Sequence, residues 1–160
     1  MTVELVKHEI FAQNLILGES LFLILKLPPH WQLGPGLSHP EIHATHERRG
    51  RKWVATGSAW YVVYDGERNW AMELAISTRP ARNKFSENPV EAVSISGHVA
   101  RLQRKEKRRG LPWQRHTVKY MIVDFECLHS EREIKLELSG WCPEEGFQEV
   151  LQAITQLQCH

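Results

Sequence analysis

Four cysteine and histidine residues of this sequence carry side chains that could bind a metal ion or form a disulfide. Cys127 is followed closely by His129, and Cys159 is followed directly by His160. Thiolate and imidazole are ligands that zinc prefers, although the spacings C-x-H and C-H are tighter than those of the usual structural zinc sites. Three interpretations stay open: a small metal site from these four residues, a disulfide between Cys127 and Cys159, and two separate thiols in the core.

The expected path of the chain brings these residues together. Residues 131–139 alternate in the pattern of a half-buried strand, and residues 143–158 repeat apolar side chains at helical spacing. A strand of about 30 Å and a returning helix of about 24 Å bring the chain back to where the strand began. We therefore expect the residues after the helix to approach Cys127 and His129, and Cys142 to lie at the far end of the helix.

A second group of histidines, His39, His43 and His46, lies in the segment HPEIHATHE. The segment lacks the HExxH order of zinc proteases, and it reads as a strand, in which residues i and i+3 face opposite sides. Together with Trp31, these histidines give one alternative, a small-ligand or metal-dependent enzyme with a groove at this place. The sequence has no GxSxG, P-loop or GxGxxG motif, so we assign no catalytic residue or cofactor and favour a non-enzymatic protein.

The segment from Arg101 to His116, RLQRKEKRRGLPWQRH, is the strongest charge feature of the chain. Seven basic residues and one acid, Glu106, give it a net charge of +6, whereas the whole chain has a net charge of +1. Basic side chains at the tip of a β-ribbon, with Trp113 beside them, predict one function, nucleic-acid binding. The candidate residues are Arg101, Arg104, Lys105, Lys107, Arg108, Arg109 and Arg115.

Two observations support a different role for the same segment. The sequence pI of 7.8 is below the value above ~9 expected of a dedicated nucleic-acid binder. The chain also lacks an RNP1, GXXG or zinc-finger motif. In this alternative the charges keep a solvated hairpin tip from pairing with other sheet edges.

Most of the chain has the composition and alternation of β-strands. Asp65-Gly66 predicts a tight primed turn between two of them, and residues 32–40 and 78–89 read as loops. We predict an α+β fold, an antiparallel sheet of about six to eight strands with one long C-terminal helix packed on one face, in a single globular domain over residues 1–160. The predicted strands are residues 3–11, 21–27, 42–47, 53–64, 69–77, 90–103, 113–127 and 131–139.

Composition sets the expected location and partners. A hydrophobic content of 42% with 24% charged residues is ordinary for a soluble protein. The chain has no apolar run long enough for a membrane span, no apolar signal sequence near Met1, and only three cysteines, so we expect a cytoplasmic protein without a membrane partner. Six tryptophans and a long hairpin favour an unknown protein partner or self-association as a homodimer.

Two segments and the closing elements resemble the Mog1/PsbP-like fold. The segments are Phe22 to Trp31, FLILKLPPHW, and Ile95 to Ala100, ISGHVA; the closing elements are a strand, a short turn and a helix over residues 147–157. The continuous strands over residues 41–76 depart from that fold, as does the lack of a helix before the central strands. Its members are mostly binding or accessory modules, so the resemblance implies a non-enzymatic role and assigns no functional residue.

Overall fold

The computed structural model describes residues 4–14, 18–35, 42–43, 45–49, 52–81, 91–127, 129, 132–140 and 142–159. Eleven strands and one helix occur in this part of the chain. They are β1 Val6–Asn14, β2 Gly18–Leu27, β3 Gln32–Pro35, β4 Ile42–His43, β5 Thr45–Arg49, β6 Lys52–Asp65, β7 Trp70–Pro80, β8 Ala92–Ile95, β9 His98–Arg109, β10 His116–Cys127, β11 Arg132–Gly140 and α1 Glu144–Ile154.

The strands form two sheets. The larger sheet has eight strands in the order β3-β6-β7-β11-β10-β9-β8, with β5 also paired to β6. All of its strand pairs are antiparallel. In the smaller sheet, β1 pairs antiparallel with β2 and parallel with β4. The predicted antiparallel sheet is therefore confirmed, and β8 and β3 lie at the ends of its strand order.

One face of the larger sheet contributes to the core, since side chains alternate across a strand. In β11, Ile134, Leu136 and Leu138 are buried, whereas Lys135 and Glu137 are more exposed. Apolar side chains of α1 and of β2 belong to the same buried cluster as this face. From these two elements the cluster contains Leu23, Leu25, Leu27, Phe147, Val150, Leu151, Ala153 and Ile154.

The helix is shorter than predicted. It spans 11 residues, Glu144–Ile154, rather than residues 143–158, and Pro143 precedes its first turn. The reason is tertiary: Gln158 and Ile24 exchange two backbone hydrogen bonds of 2.9 Å, so the chain after the helix pairs with β2. With one short helix and a large sheet, the described chain is mostly β-sheet, and the predicted α+β class is wrong in this respect.

Several strand boundaries also differ from the prediction. Residues 90–103 were expected to form one strand, but a turn separates β8 from β9. Ser96 and Gly97 have φ angles of 50° and 82° there, and positive φ at both central positions is typical of a type I′ hairpin turn. The predicted loop over residues 32–40 begins with β3, and the predicted loop over residues 78–89 begins with the end of β7.

The hairpin predicted at Asp65-Gly66 is present, but its turn is longer than expected. Asp65 pairs with Trp70, which leaves four residues in the turn. The Asp65 carboxylate accepts hydrogen bonds from the backbone N–H of Glu67 at 3.0 Å and of Arg68 at 3.3 Å. A side chain that bonds the backbone of its own turn stabilises this wider geometry. The same turn places Arg68 at the helix.

Candidate functional sites

The predicted basic segment forms a two-stranded ribbon, which we define as residues 105–120. Every residue from Arg104 to Thr117 is exposed. On one side, β8 pairs with β9 only from His98 to Arg101; on the other, β11 pairs with β10 only from Lys119 onward. In the described part of the chain, the outer half of this basic ribbon therefore extends beyond its neighbouring strands.

Two of the seven predicted nucleic-acid ligands are engaged in ion pairs outside the basic ribbon. Arg101 donates Nε to Asp124 at 3.0 Å and pairs with the second oxygen of that carboxylate through Nη2. Arg104 donates Nη1 to Glu144 at 2.7 Å, which attaches β9 to the first turn of the helix. These two arginines have a structural role, and a partner would have to compete with the carboxylates.

The other five cations form no ion pair with a carboxylate among the described residues. Lys107 Nζ lies 5.1 Å from the centroid of the Tyr120 ring, and Arg109 Cζ lies 5.4 Å from it. A cation near an aromatic face is attracted to the ring and keeps its net charge. The five residues are Lys105, Lys107, Arg108, Arg109 and Arg115.

Strand alternation sorts these cations by face. Lys105, Lys107 and Arg109 share one face of β9 at intervals of two residues, opposite Tyr120 and His116 of β10. Successive members of such a row are separated by about 6.8 Å along the strand. The resulting cationic row is the most regular charged feature of the basic ribbon.

The turn of the basic ribbon exposes apolar side chains. Leu111 is 54% exposed and Trp113 is 75% exposed. Gly110 has a φ of 116°, and a Cβ there would collide with the carbonyl oxygen of Gln114. Only glycine therefore fits this turn without moving the backbone.

The second site is a thiol cluster, which we define as His98, Cys127 and Cys159. The two sulfur atoms lie 3.1 Å apart, so the thiols are close but not bonded, and the predicted disulfide is not formed in this structure. The strand β11 and the returning helix bring them together by the path expected from the sequence. The His98 Nε2 atom lies 3.4 Å from Cys159 Sγ.

Neighbouring groups position the thiol cluster. The His98 ring stacks on Phe125, with centroids 5.6 Å apart and an interplanar angle of 15°. Arg132 donates Nη2 to the carbonyl oxygen of Cys159 at 2.7 Å, and burial lowers the pKa of its guanidinium. Burial, followed by the hydrogen bond to Cys127, raises the pKa of the Cys159 thiol to about 12.

Sequence reasoning missed His98 and selected His129. The β8–β9 turn delivers His98 from a point distant in sequence, whereas His129 is exposed after β10 and is not among the three clustered donors. His160 lies outside the described residues. Cys142 is buried at the other end of the helix, as expected, where desolvation raises the pKa of its thiol to about 11.

The predicted histidine groove is largely outside the described part of the chain. This applies to His39 and to the side chains of His43 and His46. Trp31 is only 1% exposed, and its Nε1 donates to Glu149 at 2.9 Å, so it belongs to the core and not to a groove.

A third cluster, which sequence reasoning missed, joins the β6–β7 turn to the helix. Arg68 donates to both carboxylate oxygens of Glu149, at 2.8 and 2.7 Å, and to Asp65. Hydrogen bonds from Arg68, and then from Trp31 and His30, lower the pKa of Glu149 to about 2. We call these five residues the Arg68 cluster. Because its charges are mutually paired, it is a structural unit.

Comparisons of the chain with protein-family models, with curated proteins and with solved structures found no match. The resemblance to the Mog1/PsbP-like fold therefore stays a prediction. No helix in the described residues has the length and apolar character needed to cross a bilayer.

Proposed function

We propose that this protein is a non-enzymatic binding protein that contacts the phosphate backbone of nucleic acid through its basic ribbon. The observation that carries the proposal is the cationic row of Lys105, Lys107 and Arg109, in which two members are held against Tyr120 and none has a carboxylate partner among the described residues. Cations already ordered by a ring lose less side-chain entropy when they bind an anion.

The spacing of the row supports phosphate contacts. Successive cations are about 6.8 Å apart along an extended strand, which is about twice the 3.4 Å axial rise per phosphate on one strand of DNA. Contacts of this kind position a protein on the nucleic acid and carry no sequence information. We therefore expect binding with little sequence preference.

Self-association through the same edge is less favourable. In the described residues, β9 beyond Arg101 has no pairing with β8, so a second copy could in principle add a strand there. Two copies would then place rows of lysine and arginine beside each other, and like charges in neighbouring positions destabilise a sheet. A polyanion fits this edge better than a second copy does.

The test is fluorescence anisotropy with labelled single-stranded and duplex DNA of mixed sequence, at several salt concentrations. Replacing the row in a K105Q/K107Q/R109Q variant should weaken binding at least tenfold. The slope of log affinity against log salt should fall by about 2–3, since about 0.7–0.9 counterions are released per phosphate contact.

A matched control removes three lysines elsewhere, two on the β1–β2 hairpin and one on β11, in a K7Q/K26Q/K135Q variant. This control loses the same charge and should keep most of the affinity. An equal loss in both variants would contradict a localised site. Binding to vesicles of anionic lipid but not to DNA would also overturn the proposal and would point to the exposed Leu111 and Trp113.

A further inference from the structure

We propose that the thiol cluster binds one zinc-class divalent ion through the thiolates of Cys127 and Cys159 and the imidazole of His98. The three donor atoms come from the end of β10, the segment after the helix and the β8–β9 turn, and all lie within 4.8 Å of one another. The three ligands lie outside the basic ribbon, and His98 takes the place of the expected ligand His129.

The separations of the donors favour a metal ion over a disulfide. Two thiolates on one tetrahedral zinc ion lie about 3.7 Å apart, and a thiolate and an imidazole nitrogen lie about 3.5 Å apart. The observed separations are 3.1 Å between the sulfurs and 3.4 Å between His98 Nε2 and Cys159 Sγ. A disulfide requires about 2.05 Å between the sulfurs and gives the imidazole no role.

Charge balance also favours a divalent ion. Cys127 is fully buried and Cys159 is only 3% exposed, so a net charge left in this place would be costly. Two thiolates and a neutral imidazole compensate the two positive charges of the ion. When each metal–sulfur bond forms, the thiol of that cysteine gives up its proton to solvent, so two protons are released per ion.

Contacts with neighbouring residues hold these ligands in place. Phe125 stacks against the His98 ring, and Arg132 bonds the backbone carbonyl of Cys159. Fixed ligands lose little freedom on metal binding, as in known metal sites. A bound ion would connect the base of β9, the end of β10 and the chain after the helix, so it should stabilise the fold.

The experiment uses the full chain, purified with reductant and chelator and then transferred to metal-free buffer. Titration with Co²⁺ should give a thiolate-to-cobalt charge-transfer band at one equivalent. Calorimetry with Zn²⁺ in two buffers of different ionisation enthalpy should report two protons released per ion. Zn²⁺ at a hundredfold excess over Kd should raise Tm by roughly 5–10 °C.

Cysteine variants separate the site from an ordinary thiol. The C159S and H98Q variants should each weaken Zn²⁺ binding by at least tenfold, whereas C142S, which removes the buried thiol at the other end of the helix, should bind as the original chain does. Circular dichroism verifies that each variant is folded. If H98Q does not fold, H98N replaces it in the same titration.

Three results would overturn the inference. One is the absence of the cobalt–thiolate band in the folded, reduced chain. Another is an equal loss of Zn²⁺ binding in C142S and C159S. The third is a Cys127–Cys159 disulfide, found by mass spectrometry as the loss of two hydrogen atoms, that persists under the reducing conditions of the titration.

Discussion

Cations lie near aromatic rings in both the Arg68 cluster and the basic ribbon. Only in the Arg68 cluster does the cation near the ring also pair with carboxylates, as far as the described residues show. In the Arg68 cluster, the guanidinium lies 4.0 Å from the centroid of the Trp70 ring and donates to Glu149 and Asp65. In the basic ribbon, Lys107 and Arg109 lie near a tyrosine ring and have no carboxylate partner among the described residues.

The difference separates charged side chains that are paired and connect two elements from charged side chains for which binding is proposed. Paired and half-buried charges connect a turn to a helix, and their removal would leave an uncompensated group. Exposed charges without a carboxylate partner add little to stability, so we expect their removal to affect the proposed binding more than the fold.

The largest expected effect compares two tryptophans. Trp31 is 1% exposed in the Arg68 cluster, and Trp113 is 75% exposed at the tip of the basic ribbon. The W31A variant should lose about 3–5 kcal/mol of unfolding free energy, as for other buried aromatic truncations, whereas W113A should change it by less than about 0.5 kcal/mol. Urea denaturation followed by circular dichroism measures both.

A W31F variant covers the case in which W31A does not fold. It loses the Nε1 hydrogen bond to Glu149. Because it keeps a buried aromatic ring, it should lose less unfolding free energy than W31A does. Equal losses in W31A and W113A would show that the tip is part of the folded core, which would contradict the division between the two regions.

The second effect concerns Gly146, a helix residue close to the Arg68 cluster. An alanine in a helix normally stabilises by about 1 kcal/mol relative to glycine, but a Cβ here would collide with Cys142 Sγ and lie 3.1 Å from Trp70. We expect G146A to destabilise by about 1–3 kcal/mol through overpacking. Thermal denaturation detects the change.

A double-mutant cycle tests the cause. Removing the sulfur in C142A should relieve most of the collision, so G146A should cost much less in the C142A background than in the original chain. An additive result would mean that the thiol does not determine the cost.

The third effect is on pH dependence. The pKa of Glu149 is lowered from its ordinary value of 4.5 to about 2, first by the hydrogen bonds from Arg68. A lowered pKa means that the folded state favours the carboxylate, so its stabilisation is complete above pH 4.5 and is lost as the pH falls toward 2. The stability difference between the original chain and E149Q should shrink over this interval, as measured by urea midpoints.

An arginine substitution in the basic ribbon, R109Q, is the control for this pH prediction. Arg109 has no carboxylate partner among the described residues, so acidification breaks no ion pair of its side chain there. The stability difference between R109Q and the original chain should therefore stay constant between pH 5 and 2. If the stability difference between E149Q and the original chain stayed constant over the same interval, Glu149 would not contribute to the acid sensitivity of the fold.

The smallest expected effect is that of the binding variant on stability. Each substitution in K105Q/K107Q/R109Q should change the free energy of unfolding by about 0.5 kcal/mol or less, as for exposed side chains without ion pairs. Thermal denaturation at low and high salt measures this change in stability. A large loss would assign the cationic row a structural role and would weaken the binding interpretation.

Short-range patterns were sufficient for much of the fold. Alternation identified β11, and apolar residues at helical spacing identified α1. The turn at Ser96-Gly97 and the early end of the helix were missed. The turn has only two residues, so the segment around it was interpreted as one continuous strand, and the end of the helix depends on pairing between Gln158 and Ile24.

The candidate sites divide in the same way. The positions of the basic residues are visible as a charge run, and the meeting of Cys127 with Cys159 follows from one strand and one returning helix. The sequence alone could not indicate that Arg101 and Arg104 are occupied by carboxylates, because Asp124 and Glu144 are 23 and 40 residues away.

The sequence by itself determined the elements whose energies are local: strand alternation, the amphipathic helix and the charge of the ribbon. Only the tertiary structure decided which side chains meet across distant elements. It placed His98 beside two cysteines and joined Arg68 to Glu149. The physical reason is that hydrogen bonds and ion pairs act over a few ångströms in space, and neighbours in space need not be neighbours in sequence.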